Sequence, residues 1–208
     1  MDALRTIESC LQRNPRLAAG YMNLGIILSR LGLAEQSSLA FKKACDLSPE
    51  SDLIASNHIH GLNYLLGISS TEVFNEQQSF ARKFESPLLA EHKPHSNIRE
   101  PHRRLRIGYV SGDFRDHSVA YFLKPILANL DPERVQTILY HCHHTEDATS
   151  AELRSLAGKW TSLNGIDDNL VAEIIRKDAP DILIDLAGHS AMNRLPLFAK
   201  NLARVQMT

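Results

Sequence analysis

Asn14-Pro15 and Ser48-Pro49 stand 34 residues apart, and the stretch between them keeps one helical register. Proline cannot continue a helix from within, so each of the two marks a helix boundary. Between them Tyr21, Leu24, Leu28, Phe41 and Ala44 recur at the spacing of two apolar helix faces. Gly25 predicts a close approach of the paired helices. Gly32 predicts the tight turn that joins them. Ser37 stands where a small alanine is usual and still suits a tight contact. A helix pair of this size cannot bury its apolar face alone, so the period implies stacked neighbours.

A 34-residue helix–turn–helix period is that of the tetratricopeptide repeat (TPR). Ala3, Ile7 and Cys10 precede Ser37, Phe41 and Ala44 by the same interval. Residues 1–12 therefore read as the second helix of an earlier repeat, with the chain continuing upstream or the half repeat serving as a frayed cap. Leu53 to Leu66 and Val73 to Phe84 read as a closing helix pair without the glycine and aromatic positions. For one and a half repeats, a scaffold role stands beside a peptide-binding groove.

Residues 86–104 carry Pro87, Pro94 and Pro101 among His92, His95 and His102. Proline at this density predicts a solvated linker. The histidines lack a recognised ligand spacing for a metal. From Leu105 the period changes. Strands are expected at Leu105–Val110, Val135–His141, Trp160–Leu163, Ile182–Leu186 and from Val205. Helices are expected at Ser118–Leu130, Ala148–Leu156, about Asp168–Lys177 and Leu195–Leu202. Alternation of this kind predicts a parallel, doubly wound sheet. The resulting division is helices over 1–85, linker over 86–104 and an α/β region over 105–208, which stops inside a strand at Thr208 and so reads as truncated. Trp160 reads as core or core edge.

Ligands of such sheets bind beyond the carboxyl ends of the strands, which selects two loops. Ser111 to Ser118 lacks both the dinucleotide and the P-loop glycine patterns. It offers His117 beside Asp116 at a helix N-terminus, as a base, as a donor to an anion, or as a bystander to a cap made by Asp116 or Ser118. Gly188 to Arg194 offers a sharp exit at Gly188, polar groups at His189 and Asn193, and Arg194 as a clamp for phosphate or carboxylate. The alternative there is a solvated loop with Asn193 as a cap. His141 and His143 would share one strand face, but no further ligand accompanies them, and no metal is expected.

Bulk properties narrow the classes. A formal net charge of −1 gives no reason to expect nucleic acid or an anionic membrane. No apolar run approaches the roughly 20 residues of a membrane span. Cys10, Cys45 and Cys142 show no pairing pattern, which suits a cytoplasmic protein.

The run Leu105-Arg106-Ile107-Gly108-Tyr109-Val110-Ser111-Gly112-Asp113-Phe114-Arg115-Asp116-His117 resembles the opening of the catalytic region of O-linked N-acetylglucosamine transferases and SPINDLY-like proteins, glycosyltransferase family 41. Asp185-Leu186-Ala187-Gly188-His189-Ser190, with Asn193-Arg194-Leu195 and Leu197-Phe198-Ala199, is similar to a second block of that family. Val205 to Thr208 resembles the strand before the family's Trp-x-Gly-Tyr-Pro-Gly segment, which is absent here. The resemblance implies TPR helices followed by a Rossmann-like lobe, the N-terminal half of a GT-B fold. It implies transfer of GlcNAc from UDP-GlcNAc to Ser or Thr of acceptor proteins presented by the TPR, with no cofactor or required metal. SPINDLY-like members use GDP-fucose instead. His117 matches the family's active-site histidine, proposed as a base, while His189 and Arg194 match the second loop of the cleft. With the second lobe missing, the chain as it stands is expected to be catalytically silent. A TPR interaction module without catalysis is the rival reading.

Overall fold

A computed structural model describes residues 2–100 and 102–208. The helix start at Met1 and the linker proline at position 101 lie outside the described residues. The chain divides into two compact units at Phe84/Glu85.

The first unit is helical: α1 (Asp2–Arg13), α2 (Ala18–Arg30), α3 (Ala34–Leu47), α4 (Asp52–Leu62) and α5 (Ser70–Phe80), each packed on the next. Its joint is Phe41, which is 3% exposed. A Cβ added at Gly25 on α2 would lie 2.7 Å from the Phe41 ring, and one at Gly61 on α4 would lie 3.2 Å from it. Two glycines therefore let two helices close on one aromatic side chain. Ser37 does more than fit a tight contact: its buried hydroxyl donates to the Gly25 carbonyl at 2.8 Å, tying α3 to α2. Gly32 makes the intervening turn at φ +75°.

Other helical expectations shift. In α1, Ile7 is half-buried while Ala3 and Cys10 are exposed, and Leu11 carries the packing on α2 against Gly20. Both closing helices start earlier than the apolar pattern implied; α4 also ends earlier, at Leu62, whereas α5 runs on as a π-helical turn over Ala81–Glu85 and so reaches past the expected end at Phe84. Ser51 caps α4 by accepting from the Ile54 amide at 3.3 Å. Ser69 and Glu72 form a reciprocal capping box that starts α5 at Ser70, three residues before Val73.

The second unit is built on a five-stranded parallel sheet. In chain order it runs β1 (Leu105–Ser111), α6 (Ser118–Asn129), β2 (Val135–His141), α7 (Ala148–Leu156), β3 (Lys159–Ser162), α8 (Asp168–Asp178), β4 (Ile182–Asp185), α9 (Leu195–Phe198) and β5 (Val205–Met207). The strand order is β3-β2-β1-β4-β5. Tyr109 pairs with Leu139 on one side and Ile184 on the other. Side chains alternate between the faces. Val110, Ile138, Tyr140 and Leu183 pack with Val171 and Ile175 of α8 and with Leu197 of α9. Tyr109 and Leu139 pack with Ala120, Leu123 and Leu127 of α6 and Leu153 of α7. Both faces are covered, so the strands read as nearly continuous apolar runs. The helix expected over Leu195–Leu202 is corrected to one turn. Asn201 turns to φ +53°, and the Gln206 side chain takes up both the Phe198 carbonyl and the Leu202 amide, groups that a further turn would have paired.

The expected linker is largely exposed, as a solvated segment is, but it is also held at several points. Pro87 opens a 3₁₀ helix over Ser86–Glu91, and the segment after it docks on the α/β unit. Asn97 is buried and donates to Asp181 at 2.6 Å and to the Ala179 carbonyl at 3.0 Å. Arg103 forks onto both Asp181 oxygens. Lys200, 4% exposed, donates to Glu91 and to Asn169, each at 2.7 Å. These contacts are polar and long-range, so no periodicity announces them.

Asp181 gives this strap a pH signature. Burial alone pushes its carboxyl up, but the hydrogen bonds from Arg103, the Arg106 amide and Asn97 outweigh it and hold the group at about 2, against an ordinary 3.8. A depressed carboxyl contributes stability that is complete above 3.8 and lost as pH falls toward 2. Acid unfolding followed by circular dichroism should therefore steepen across that window, and Arg103→Ala should flatten it.

Candidate functional site

β1 and β4 are neighbours, and the sheet order reverses between them: β2 and β3 follow on one side of β1, β4 and β5 on the other. In open parallel sheets the crevice at such a switch point is where ligands bind. The loops after these two strands, 111–118 and 186–194, contain the two that strand-end reasoning selects, Ser111 to Ser118 and Gly188 to Arg194. They also touch. A Cβ at Gly112 would lie 2.8 Å from the Met192 Cβ and 3.4 Å from the Ala191 carbonyl, and Met192 holds a left-handed φ of +60°.

The first loop centres on His117. It is itself the N-cap of α6, which corrects the expectation that Asp116 or Ser118 caps that helix. Its Nδ1 accepts from the Val119 amide at 3.3 Å and lies 3.7 Å from Oδ2 of Asp113. The His117 side chain is 38% exposed, while Asp113 is buried and held by Arg115 at 3.2 Å. Asp116 is exposed, and its amide donates to Asp147 at 2.8 Å. Asp147 and Ser150 form the capping box of α7, and the buried Ser150 hydroxyl donates to the Phe114 carbonyl at 2.7 Å. Thus the start of α7 holds the loop that carries His117. Neither Asp147 nor Ser150 figures among the residues expected at the site. Their Asp-x-x-Ser spacing ahead of a helix is the signal that points to them.

In the second loop Gly188 takes φ +54°, a conformation glycine adopts without strain. Its amide and that of Ala187 donate to Asp185 at 2.7 and 3.1 Å. Burial raises the Asp185 carboxyl, and those two amides offset part of the rise. His189 is half-buried beside them. Asn193 turns back on its own loop, donating to the Ser190 carbonyl at 2.8 Å and accepting from the Leu195 amide at 3.4 Å. Arg194, expected as an anion clamp, makes its hydrogen bonds within the fold. Its guanidinium donates to the Ile166 and Leu163 carbonyls, both at 2.9 Å, and pairs with Asp168. Those bonds secure the loop to the start of α8. The site therefore keeps His117, Asp116, Gly188 and His189 as candidate contacts, with Asn193 and Arg194 as its supports.

Comparison with known proteins decides the family. The sequence model of glycosyl transferase family 41 matches residues 88–208. The chain belongs to that family. Among curated relatives, the probable UDP-N-acetylglucosamine–peptide N-acetylglucosaminyltransferase SPINDLY of Petunia hybrida is 32% identical over 78% of this chain and 18% of its own length. The protein of that name from Arabidopsis thaliana is 30% identical over the same shares. The UDP-N-acetylglucosamine–peptide N-acetylglucosaminyltransferase of Caenorhabditis elegans is 32% identical over 50% of the chain and 9% of its length. A solved structure of a mutant O-GlcNAc transferase from Thermobaculum terrenum superposes with a TM-score of 0.92 at 32% identity, covering 98% of this chain and 39% of that one. The chain thus spans about a fifth of the length of the SPINDLY relatives.

The family 41 match begins within the strap, at residue 88, in keeping with its docking on the α/β unit. Two histidines also lie near this end of the family 41 sheet. His141 is fully buried, donates to the Thr145 carbonyl at 3.1 Å and packs on Trp160 at 5.1 Å, and burial lowers its pKa. His143 lies past the end of β2, yet its ring stays on the side of His141, with the centroids 6.5 Å apart as the shared face implied, and it stacks on His144 at 4.2 Å. Among the described residues no group of three or more His, Cys, Asp or Glu is disposed to hold a metal. Burial pushes the Cys142 thiol up to about 11, which leaves it a neutral neighbour of Arg194. No helix among the described residues is long and apolar enough to cross a membrane.

The Gly112–Met192 contact yields a test. Gly112→Val should force the two loops apart, because the Met192 Cβ and the Ala191 carbonyl cannot retreat as a flexible side-chain tip can. The amide spectrum should shift across residues 111–118 and 186–194, while far-UV dichroism stays unchanged.

Proposed function

We propose that this chain is the acceptor-presenting and first catalytic part of a protein O-glycosyltransferase that moves GlcNAc from UDP-GlcNAc to Ser or Thr hydroxyls. In this reading residues 1–85 are TPR and capping helices, and 105–208 form the first Rossmann-like lobe of a GT-B fold. The observation that carries it is the convergence of the His117 and Gly188 loops at the β1/β4 switch point of a family 41 chain. The names of the relatives and of the solved neighbour support the donor. Gly188 and its neighbours offer backbone close to a ligand, and the α6 N-terminus favours negative charge such as a diphosphate. The protein would act in the cytoplasm, with its three cysteines as thiols.

A second reading, O-fucosyl transfer from GDP-fucose, rests on the resemblance of the Leu105–His117 run to SPINDLY-like proteins, although the SPINDLY relatives that match over 78% of the chain are themselves named for GlcNAc transfer. The test is transfer of labelled sugar to a Ser/Thr peptide by the protein that carries this chain at its natural length, with each donor offered separately. Transfer from UDP-GlcNAc supports the first reading, and transfer from GDP-fucose alone supports the second. Neither transfer, with partner capture unchanged when residues 105–208 are removed, supports the interaction module instead.

A further inference from the structure

The identity of the hydrogen-bond donor to His117 determines what its ring can do. A neutral imidazole carries one proton, and the nitrogen that accepts a hydrogen bond cannot be the one that holds it. At the N-cap of α6 the acceptor is Nδ1, and the donor is the Val119 amide at 3.3 Å, the second amide of the helix. This is the usual bond made by a capping side chain. The other group facing Nδ1 is Asp113, with Oδ2 at 3.7 Å, beyond hydrogen-bond length. The other Asp113 oxygen is held by Arg115 at 3.2 Å. For Nε2 to act as a base, the proton would have to sit on Nδ1 and point at Asp113. The Val119 amide would then lose its partner at the helix start, where no intrahelical acceptor exists.

We infer that His117 serves the reaction as a hydrogen-bond donor through Nε2–H, its tautomer fixed by the α6 cap. This rests on the reading above that places His117 in the substrate crevice. In that state Nε2 has no lone pair with which to take a proton from an acceptor hydroxyl. It can instead donate to a substrate oxygen that gains negative charge, such as one of a departing diphosphate. His117 thereby couples two jobs: one nitrogen starts the helix, and the start of the helix orients the other.

The test is carried out on the chain itself and needs no sugar transfer. Two-bond proton–nitrogen spectra of the labelled protein at about pH 9, above the ordinary histidine range, report which ring nitrogen holds the proton. The expected result is Nε2–H throughout the neutral population. Hydrogen exchange of the Val119 amide supplies the second readout. His117→Ala should speed it about tenfold relative to wild type, and His117→Asn, whose Oδ1 can accept the same bond, should restore slow exchange. A neutral ring protonated at Nδ1 overturns the inference. So does a Val119 amide that exchanges equally fast in wild type and His117→Ala. Should the alanine variant fail to fold, the wild-type spectrum still decides. Failure of the transferase reading would appear separately, as absence of transfer with the tautomer as described.

Discussion

His117→Ala is expected to lower sugar transfer by about 10²–10³-fold in the protein at its natural length, the loss typical of removing one preorganised donor from a developing oxyanion. The same substitution removes the α6 cap, which costs on the order of 1 kcal/mol. The two effects separate with His117→Asn, which keeps a cap acceptor and loses the ring. Denaturant midpoints should therefore order as wild type, then Asn close behind, then Ala, while turnover falls in both variants. The turnover measurement is kcat with donor saturating, since a group that acts in the transition state lowers kcat more than it raises KM. Unchanged turnover in His117→Ala would remove this residue from the reaction, whatever its place in the fold.

Phe41→Ala should destabilise the helical unit by about 3–5 kcal/mol, the upper range for a large buried side chain. The reason lies in what surrounds the ring. Gly25 and Gly61 present bare backbone to it, and the helices that carry them cannot collapse into the space as flexible side chains would. Ser37→Ala, which loses only the bond to the Gly25 carbonyl at 2.8 Å, should cost about 1 kcal/mol. Against a typical total of about 5–15 kcal/mol, the first change threatens the unit and the second does not. Urea unfolding of both variants, read by helical dichroism, checks the ratio. A Phe41→Ala cost under about 1 kcal/mol would mean that the joint lies elsewhere.

Much of this architecture is local in origin and so was legible from the residues alone. β2 and α7 fall on the expected Val135–His141 and Ala148–Leu156, and β5 on its expected start at Val205, because apolar runs and turn residues at their ends act within a few positions. Gly25 is legible as a point of close helix approach because the 34-residue repeat marks it, whereas the Phe41 ring as its partner comes from the packing of α3 on α2. Gly61 carries no such signal, because it lies beyond Pro49, where the repeat pattern decays. The end of α9 escaped notice, because Gln206 reaches back to close it.

The site divides along the same line. His117 and Gly188 stand at the ends of apolar strands, so the rule that ligands bind beyond strand ends locates them without any structure. The residues themselves also point to a change of architecture near residue 85 and to both loops. Tertiary structure alone settled that Arg194 faces Asp168 and two carbonyls, that Asp147 and Ser150 hold the His117 loop, and that residues 86–104 dock through Asn97 and Arg103 onto Asp181. The physical reason is range. A strand or a helix is specified by neighbours a few positions apart, whereas a charged or amide side chain goes to whichever acceptor the finished fold leaves within reach, and that acceptor can lie about 80 positions along the chain.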